Sequence, residues 1–227
     1  MKLLFENWRQ YLNEQGPPKF KLYCDMDGVL VDFEKGVLEH MNEKLSEAAD
    51  RQEELSQLIP DKSNPDYKLW KGAKGAAAEL GGFDIEITAQ HISKEAGFKK
   101  TRKWMYSLVS NNKELWENLP WLAEGKKLWA YIKDFNPDIL SAPVDDASVE
   151  GKKAWCNNNL GSHVGQNFSK DKSQWGNPDS ILIDDRQKYR DQFEIPGGKT
   201  IAHDPINAGP TIEQLREYGF VKNETTI

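Results

Sequence analysis

The segment Lys21-Leu-Tyr-Cys-Asp-Met-Asp-Gly-Val-Leu-Val-Asp-Phe33 constrains this chain more than any other. A short apolar run ends at Asp25, a second carboxylate follows at Asp27, and Gly28 lets the backbone turn sharply. An apolar run that opens onto acidic residues is the pattern of a buried strand whose C-terminal end carries chemistry. Two carboxylates so close together cannot both stay ionised there at low cost without a cation or a shared proton. A hard divalent ion such as magnesium, which takes a few oxygen ligands together with substrate phosphate, resolves the conflict. The plainer alternative is an acidic turn after a strand. A calcium-binding EF-hand loop is excluded, because that loop needs glycine at its sixth position, whereas Gly28 stands fourth counting from Asp25.

Ile181-Leu-Ile-Asp-Asp-Arg186 repeats the pattern, an apolar strand followed by paired acids. In a parallel sheet every strand ends on the same edge, so Asp25, Asp27, Asp184 and Asp185 can converge although they lie far apart in sequence. Four carboxylates in one place demand a cation, and their oxygen-only character suits magnesium better than zinc. Between the two acidic motifs, Asp138-Ile-Leu-Ser141 reads as a short strand ending in a hydroxyl that can donate to a phosphoryl oxygen. A cation is needed to balance a transferring phosphoryl group. Lys152, Lys153, Lys170 and Lys172 all lie in the right interval, and chemistry alone does not choose among them.

The rest of the chain supports an α/β enzyme with an insertion. Its 227 residues suffice for one α/β domain with a large additional segment. A net charge of −6 and a pI near 5.4 argue against a field that draws the protein to nucleic acid or anionic membrane. No apolar run approaches the roughly 20 residues a bilayer span needs. With only Cys24 and Cys156 present, a disulfide framework is not expected and a reducing cytoplasm is the default. Residues 1–14 carry apolar side chains at helical spacing before Gly16-Pro-Pro18 breaks the pattern. This N-terminal helix is expected to pack on the domain; the alternative is a detachable leader, which resembles the leader peptides of internal head proteins in tailed phages and would have its cleavage point at residues 12–14.

Segments 36–59 and 94–117 read as helical, flanking a Gly/Ala-rich stretch at residues 72–82 and one weak strand signal at 83–88. An insertion of this size directly after the first strand has the character of a cap over a site at the strand ends. Within it, Phe98-Lys-Lys-Thr-Arg-Lys-Trp104 reads as a solvated helix face with Trp104 in the cap's core, the alternative being a phosphate- and base-binding patch. The α/β rhythm resumes with a helix over 123–135, strands at 138–141, 166–169, 180–185 and 200–203, a helix over 151–160, and a final helix opening on the capping-box pattern Thr211-Ile-Glu-Gln214. The expected divisions are an N-terminal extension (1–19), a catalytic core (20–34 and 119–227) and a helical cap (35–118). Trp70, Trp116, Trp121 and Trp129 are expected to pack, and His40, His91, His163 and His203 show no metal-ligand spacing.

The acidic motifs, Ser141 and the intervening lysines together resemble the motif set of the haloacid dehalogenase (HAD) superfamily. Five segments, Asp25-Met-Asp-Gly-Val-Leu-Val-Asp-Phe33, Ile139-Leu-Ser-Ala-Pro143, Lys152-Lys-Ala-Trp155, Ser169-Lys-Asp-Lys172 and Leu182-Ile-Asp-Asp-Arg186, are similar to its 5′(3′)-deoxyribonucleotidase branch. The resemblance covers residues 20–34 and about 119–190 and leaves the cap out. It implies a Rossmann-like three-layer core with a parallel sheet, a Mg2+ ion held by Asp25, the Asp27 carbonyl, Asp184 and Asp185, and a covalent aspartyl-phosphate mechanism. In it Asp25 is the nucleophile and Asp27 the general acid and base. Lys172 and Ser141 bind phosphate, and Phe33 lines the substrate pocket, while Lys152 and Lys153 belong to a helix face. Ser141-Ala142 departs from the branch's Thr-Ser pair and removes one side-chain donor.

The expected activity is hydrolysis of a small phosphomonoester, a nucleoside monophosphate first, without membrane or stable nucleic-acid binding and with a homodimer left open. The rival activities are a phosphatase for sugar phosphates or 3′-phosphate ends of nucleic acid, and a catalytically silent HAD-like binding or virion protein.

Overall fold

A computed structural model of the chain describes residues 19–37, 39–40 and 109–222. The N-terminal helix, the Gly/Ala-rich stretch, the 98–104 cluster, Trp70 and His91 lie outside the described residues, as does nearly all of the expected cap. Among the described residues no helix is long and apolar enough to cross a membrane. They fall into two compact units, one of residues 19–31, 121–143 and 159–222, the other of residues 32–37, 39–40, 109–120 and 144–158.

The first unit is built on a five-stranded parallel sheet in the order β3-β2-β1-β4-β5. Its strands are β1 (Lys21–Cys24), β2 (Asp138–Ser141), β3 (Gln166–Phe168), β4 (Ser180–Asp184) and β5 (Lys199–Ala202). The register sets Cys24 beside Ile139 on one side and beside Ile183 on the other, with Asp184 beside Ala202. Ile181, Leu182 and Ile183 are all fully buried. Such an unbroken apolar run is what a strand covered on both faces requires, since alternation would put polar groups into one of the layers. Each of these side chains contributes about 1.5–3 kcal/mol relative to an exposed position.

From β1 the chain builds outward to β2 and β3, then returns to place β4 and β5 on the opposite side. That reversal opens a crevice beyond the carboxyl ends of β1 and β4, the place where open α/β sheets bind their ligands. Around the sheet run α2 (Ala123–Ile132), α4 (Gln187–Glu194) and α5 (Gly209–Glu217), α1 being Lys113–Glu117 and α3 Asp146–Asn159. Leu128 and Ile132 of α2 are fully buried, as the helical spacing predicts. After a 3-10 turn at Lys133–Phe135, Asn136 takes a left-handed conformation (φ 52°) that stops the helix ahead of Pro137.

In the second unit the Phe33 ring stacks on Trp116 at 5.2 Å between centroids. Trp116 and Trp155 are buried and donate their indole N–H groups to the backbone oxygens of Val109 (3.0 Å) and Leu119 (2.8 Å).

Three sequence expectations are corrected. The helical pattern over 94–117 does not run unbroken to its end: Asn111 has a φ of 55°, and α1 starts afresh with the Asn112 carboxamide accepting from Leu115 N at 3.1 Å. The Thr211 capping box is not formed, because α5 begins earlier, at Gly209, with Pro210 in its first turn; Thr211 is buried inside the helix and meets the His203 ring instead. Lys152 does not lie on a solvated face. It is fully buried, with its ammonium 4.9 Å from the centre of the Trp116 ring, whereas Lys153 is exposed.

Candidate active site

The site starts where β1 ends. Asp25 N still donates to Ile183 O at 2.9 Å, so pairing with β4 carries Asp25 to the carboxyl edge of the sheet. The chain then folds over Met26, whose carbonyl accepts from the N–H groups of Val29, Leu30 and Val31 at 3.2, 2.8 and 2.9 Å. Gly28 makes this turn possible. Its φ of +73° is one an L side chain rarely adopts, and an added Cβ would stand 2.5 Å from Asp185 Oδ2. The glycine of the first motif is therefore fixed both by the turn and by the acid of the last motif.

Lys172 occupies the centre of the cluster. It is fully buried, and its ammonium donates to Asp184 Oδ2 at 2.6 Å and stands 3.1 Å from Asp25 Oδ1. The second contact is an ion pair without hydrogen-bond alignment. Of the four lysines between the acidic motifs, Lys172 is thus the one seated among the acids, and the short 3-10 helix Lys172–Trp175 puts it there. Asp171 caps that turn by accepting from Ser173 N at 3.0 Å, and Lys172 N donates to Gln192 Oε1 at 3.2 Å.

Asp25, Asp184 and Asp185 can each offer one carboxylate oxygen with all three oxygens within 4.8 Å of one another. The Asp27 carboxylate is outside that group, which leaves its backbone carbonyl as the atom the sequence expectation assigned to a metal. The electrostatics show the crowding. Burial, together with the negative charges of Asp25 and Asp184, pushes the Asp185 carboxyl up to about 7. Burial and the Asp25 charge push Asp184 up to about 6, against the pull of Lys172. Burial works against the charge on Lys172, but Asp25 and Asp184 outweigh it and raise its pKa.

These residues fit a hard divalent cation. The three carboxylates outnumber the Lys172 ammonium, and the Arg186 guanidinium near Asp185 offsets their mutual repulsion only in part. Asp185 Oδ1 is buried there without a hydrogen-bond partner, and a buried acceptor in that condition is costly unless something binds it. All the donors are oxygens, the set that suits magnesium.

Ser141 is placed as expected, at the C-terminus of β2, where it is fully buried and its carbonyl accepts from Ser169 N at 3.0 Å. Phe33 belongs to the other unit, on Trp116. Sequence reading missed the contribution of α4. Arg186 N donates to Asp184 Oδ1 at 2.8 Å, and Arg190 Nη1 donates to Asp184 O at 2.8 Å. The Tyr189 ring centre is 4.7 Å from the Lys172 ammonium. The available signal was position: a helix that starts directly after the acidic motif sets its first turn, with Tyr189 and Arg190, beside the acids.

No family model matches this chain, and no curated protein matches it. Among solved structures it is similar to a hydrolase from Streptococcus pneumoniae TIGR4 at 12% identity and a TM-score of 0.46, over 88% of this chain and 99% of that one. It is also similar to a dehalogenase at 12% identity and a TM-score of 0.37, over 81% of this chain and 84% of that one.

Proposed function

We propose that this chain is a magnesium-dependent phosphomonoester hydrolase of the HAD type, acting through an aspartyl phosphate on Asp25, with nucleoside monophosphates as the preferred substrate class. The observation that supports it most is the buried Lys172 ammonium between Asp25 and Asp184, beside the strained Asp185 carboxylate, at the carboxyl edge of a parallel sheet. A surface-binding module has no use for charge crowded into such a place, because each buried ion costs several kcal/mol unless it is compensated.

In this reading an Asp25 oxygen forms a bond to phosphorus while the bond from phosphorus to the ester oxygen breaks. The protonated carboxyl of Asp27 gives its proton to the departing oxygen. Asp27, now ionised, takes a proton from the water whose oxygen then attacks phosphorus, releasing phosphate and restoring Asp25. Lys172 and the Ser141 hydroxyl hold the equatorial oxygens, and Lys172 also orients Asp25. A divalent cation bound by Asp25, Asp184, Asp185 and the Asp27 carbonyl would offset charge on the nucleophile and on the phosphoryl group.

The test is phosphate release from a panel of deoxynucleoside and nucleoside monophosphates, sugar phosphates and 3′-phosphorylated oligonucleotides, with magnesium and with EDTA. Release from nucleoside monophosphates, abolished by EDTA, is the expected result. Good activity on a sugar phosphate with none on nucleotides would overturn the substrate class. Activity undiminished in EDTA would overturn the metal site.

A further inference from the structure

We propose that Tyr189 is a positioning residue for Lys172: its ring face forms a wall that holds the ammonium against Asp25 and Asp184 while leaving it free to turn toward a phosphoryl oxygen. This rests on the reaction proposed above and adds a residue that none of the motifs contains. The Lys172 ammonium is bonded to Asp184 at 2.6 Å and stands 3.1 Å from Asp25, off hydrogen-bond alignment. The centre of the Tyr189 ring lies 4.7 Å away. A buried ammonium between two acids of unequal distance is drawn toward the nearer one. The ring supplies a third attraction from another direction.

The chemical nature of that attraction matters. A carboxylate or carbonyl in this position would accept one of the ammonium's three N–H groups and compete with substrate for it. An aromatic face attracts the charge through its quadrupole and demands no directed hydrogen bond. Lys172 is therefore held in place with donor capacity in reserve. Tyr189 is itself well placed to be rigid. It lies in α4, the helix that also ties Arg186 N and the Arg190 guanidinium to Asp184 and Gln192 to Lys172 N. One helix thus supports both charges of the Lys172–Asp184 pair.

The test compares Tyr189→Phe and Tyr189→Leu, each in the wild-type and in the Lys172→Met background. Tyr189→Phe keeps the ring and should retain turnover within about twofold, whereas Tyr189→Leu should lower kcat about tenfold, the scale of one cation–π contact in a buried site. In the Lys172→Met background Tyr189→Leu should have almost no further effect, because two residues acting through one contact are not additive. Equal losses in both backgrounds would overturn the proposal in favour of plain packing, and so would a Phe variant as poor as Leu. Urea unfolding of the same variants without substrate reads the contact independently of catalysis. Additive stability changes would overturn it even if the wild type released no phosphate, and such silence of the wild type would count against the proposed reaction alone.

Discussion

Asp25 and Lys172 make different demands on the fold, and single substitutions should separate them. Asp25→Asn keeps shape and removes the nucleophile's charge. Turnover should fall below detection, while unfolding in urea should show a stability within about 1 kcal/mol of wild type, because the change also relieves repulsion on Asp184 and Asp185. Phosphate release near the wild-type rate would exclude the covalent route. Lys172→Met removes the only ammonium in contact with Asp25 and Asp184 among the described residues. It should cost about 30- to 1000-fold in turnover, the worth of one charge-assisted donor in a dry site. It should also cost on the order of 3 kcal/mol of stability in metal-free protein, since a buried carboxylate then loses its partner. Lys153→Met, at an exposed position, should change neither. Lys152→Met is not a second such control: buried on Trp116, Lys152 reports on packing as much as on charge.

The elements were legible where one local rule dominates. The strand at Ser180–Asp184 is an unbroken apolar run, and the strand at Asp138–Ser141 follows an Asn-Pro stop, so each has a single good reading. The last helix was misread at its start because Thr211 fits two environments. A threonine with Gln214 three residues on can cap a helix, yet here its hydroxyl lies 3.0 Å from His203 Nδ1, joining α5 to the end of β5. No local pattern records that pairing. Likewise the contact between Lys172 and Tyr189 depends on a 3-10 turn and a helix meeting in space, and periodicity describes only each by itself. The His203 contact has a measurable consequence. Burial pulls the His203 ring down from the ordinary 6.5 to about 4, against the opposing charges of Asp204 and Glu124. A histidine kept neutral in the fold contributes stability that is complete above about pH 6.5 and is lost as pH falls toward 4, because the unfolded chain then binds the extra proton. The loss at the acid end should reach on the order of 3 kcal/mol. Urea unfolding between pH 7 and 4.5 should therefore be steeper in pH for wild type than for His203→Gln, by up to one proton. Parallel pH profiles would show that His203 does not titrate with folding.

At the scale of the whole molecule, the acidic cluster makes stability depend on what binds it. The net charge of −6 already disfavours compaction, and the crowding of Asp25, Asp184 and Asp185, only partly offset by Lys172 and Arg186, concentrates that penalty at one edge of the sheet. A cation that binds the folded site and not the unfolded chain stabilises by mass action, about 2.7 kcal/mol at a hundredfold excess over its dissociation constant. For a chain of this length that corresponds to a rise of roughly 5–10 °C in melting temperature. Magnesium should produce such a rise, and sodium at matched ionic strength should not, because screening alone acts weakly on buried pairs. Asp185→Asn should behave in the opposite sense in two ways. Without metal it should melt at or above the wild-type temperature, since its carboxylate is crowded by Asp25 and Asp184 and its Oδ1 is buried without a partner. With magnesium it should gain little, having lost a charged oxygen ligand. The crossover between the two proteins on adding magnesium is the diagnostic, and it requires no substrate. Equal magnesium shifts in wild type and Asp185→Asn would exclude Asp185 as a ligand, and no shift in either would exclude the cation from this cluster.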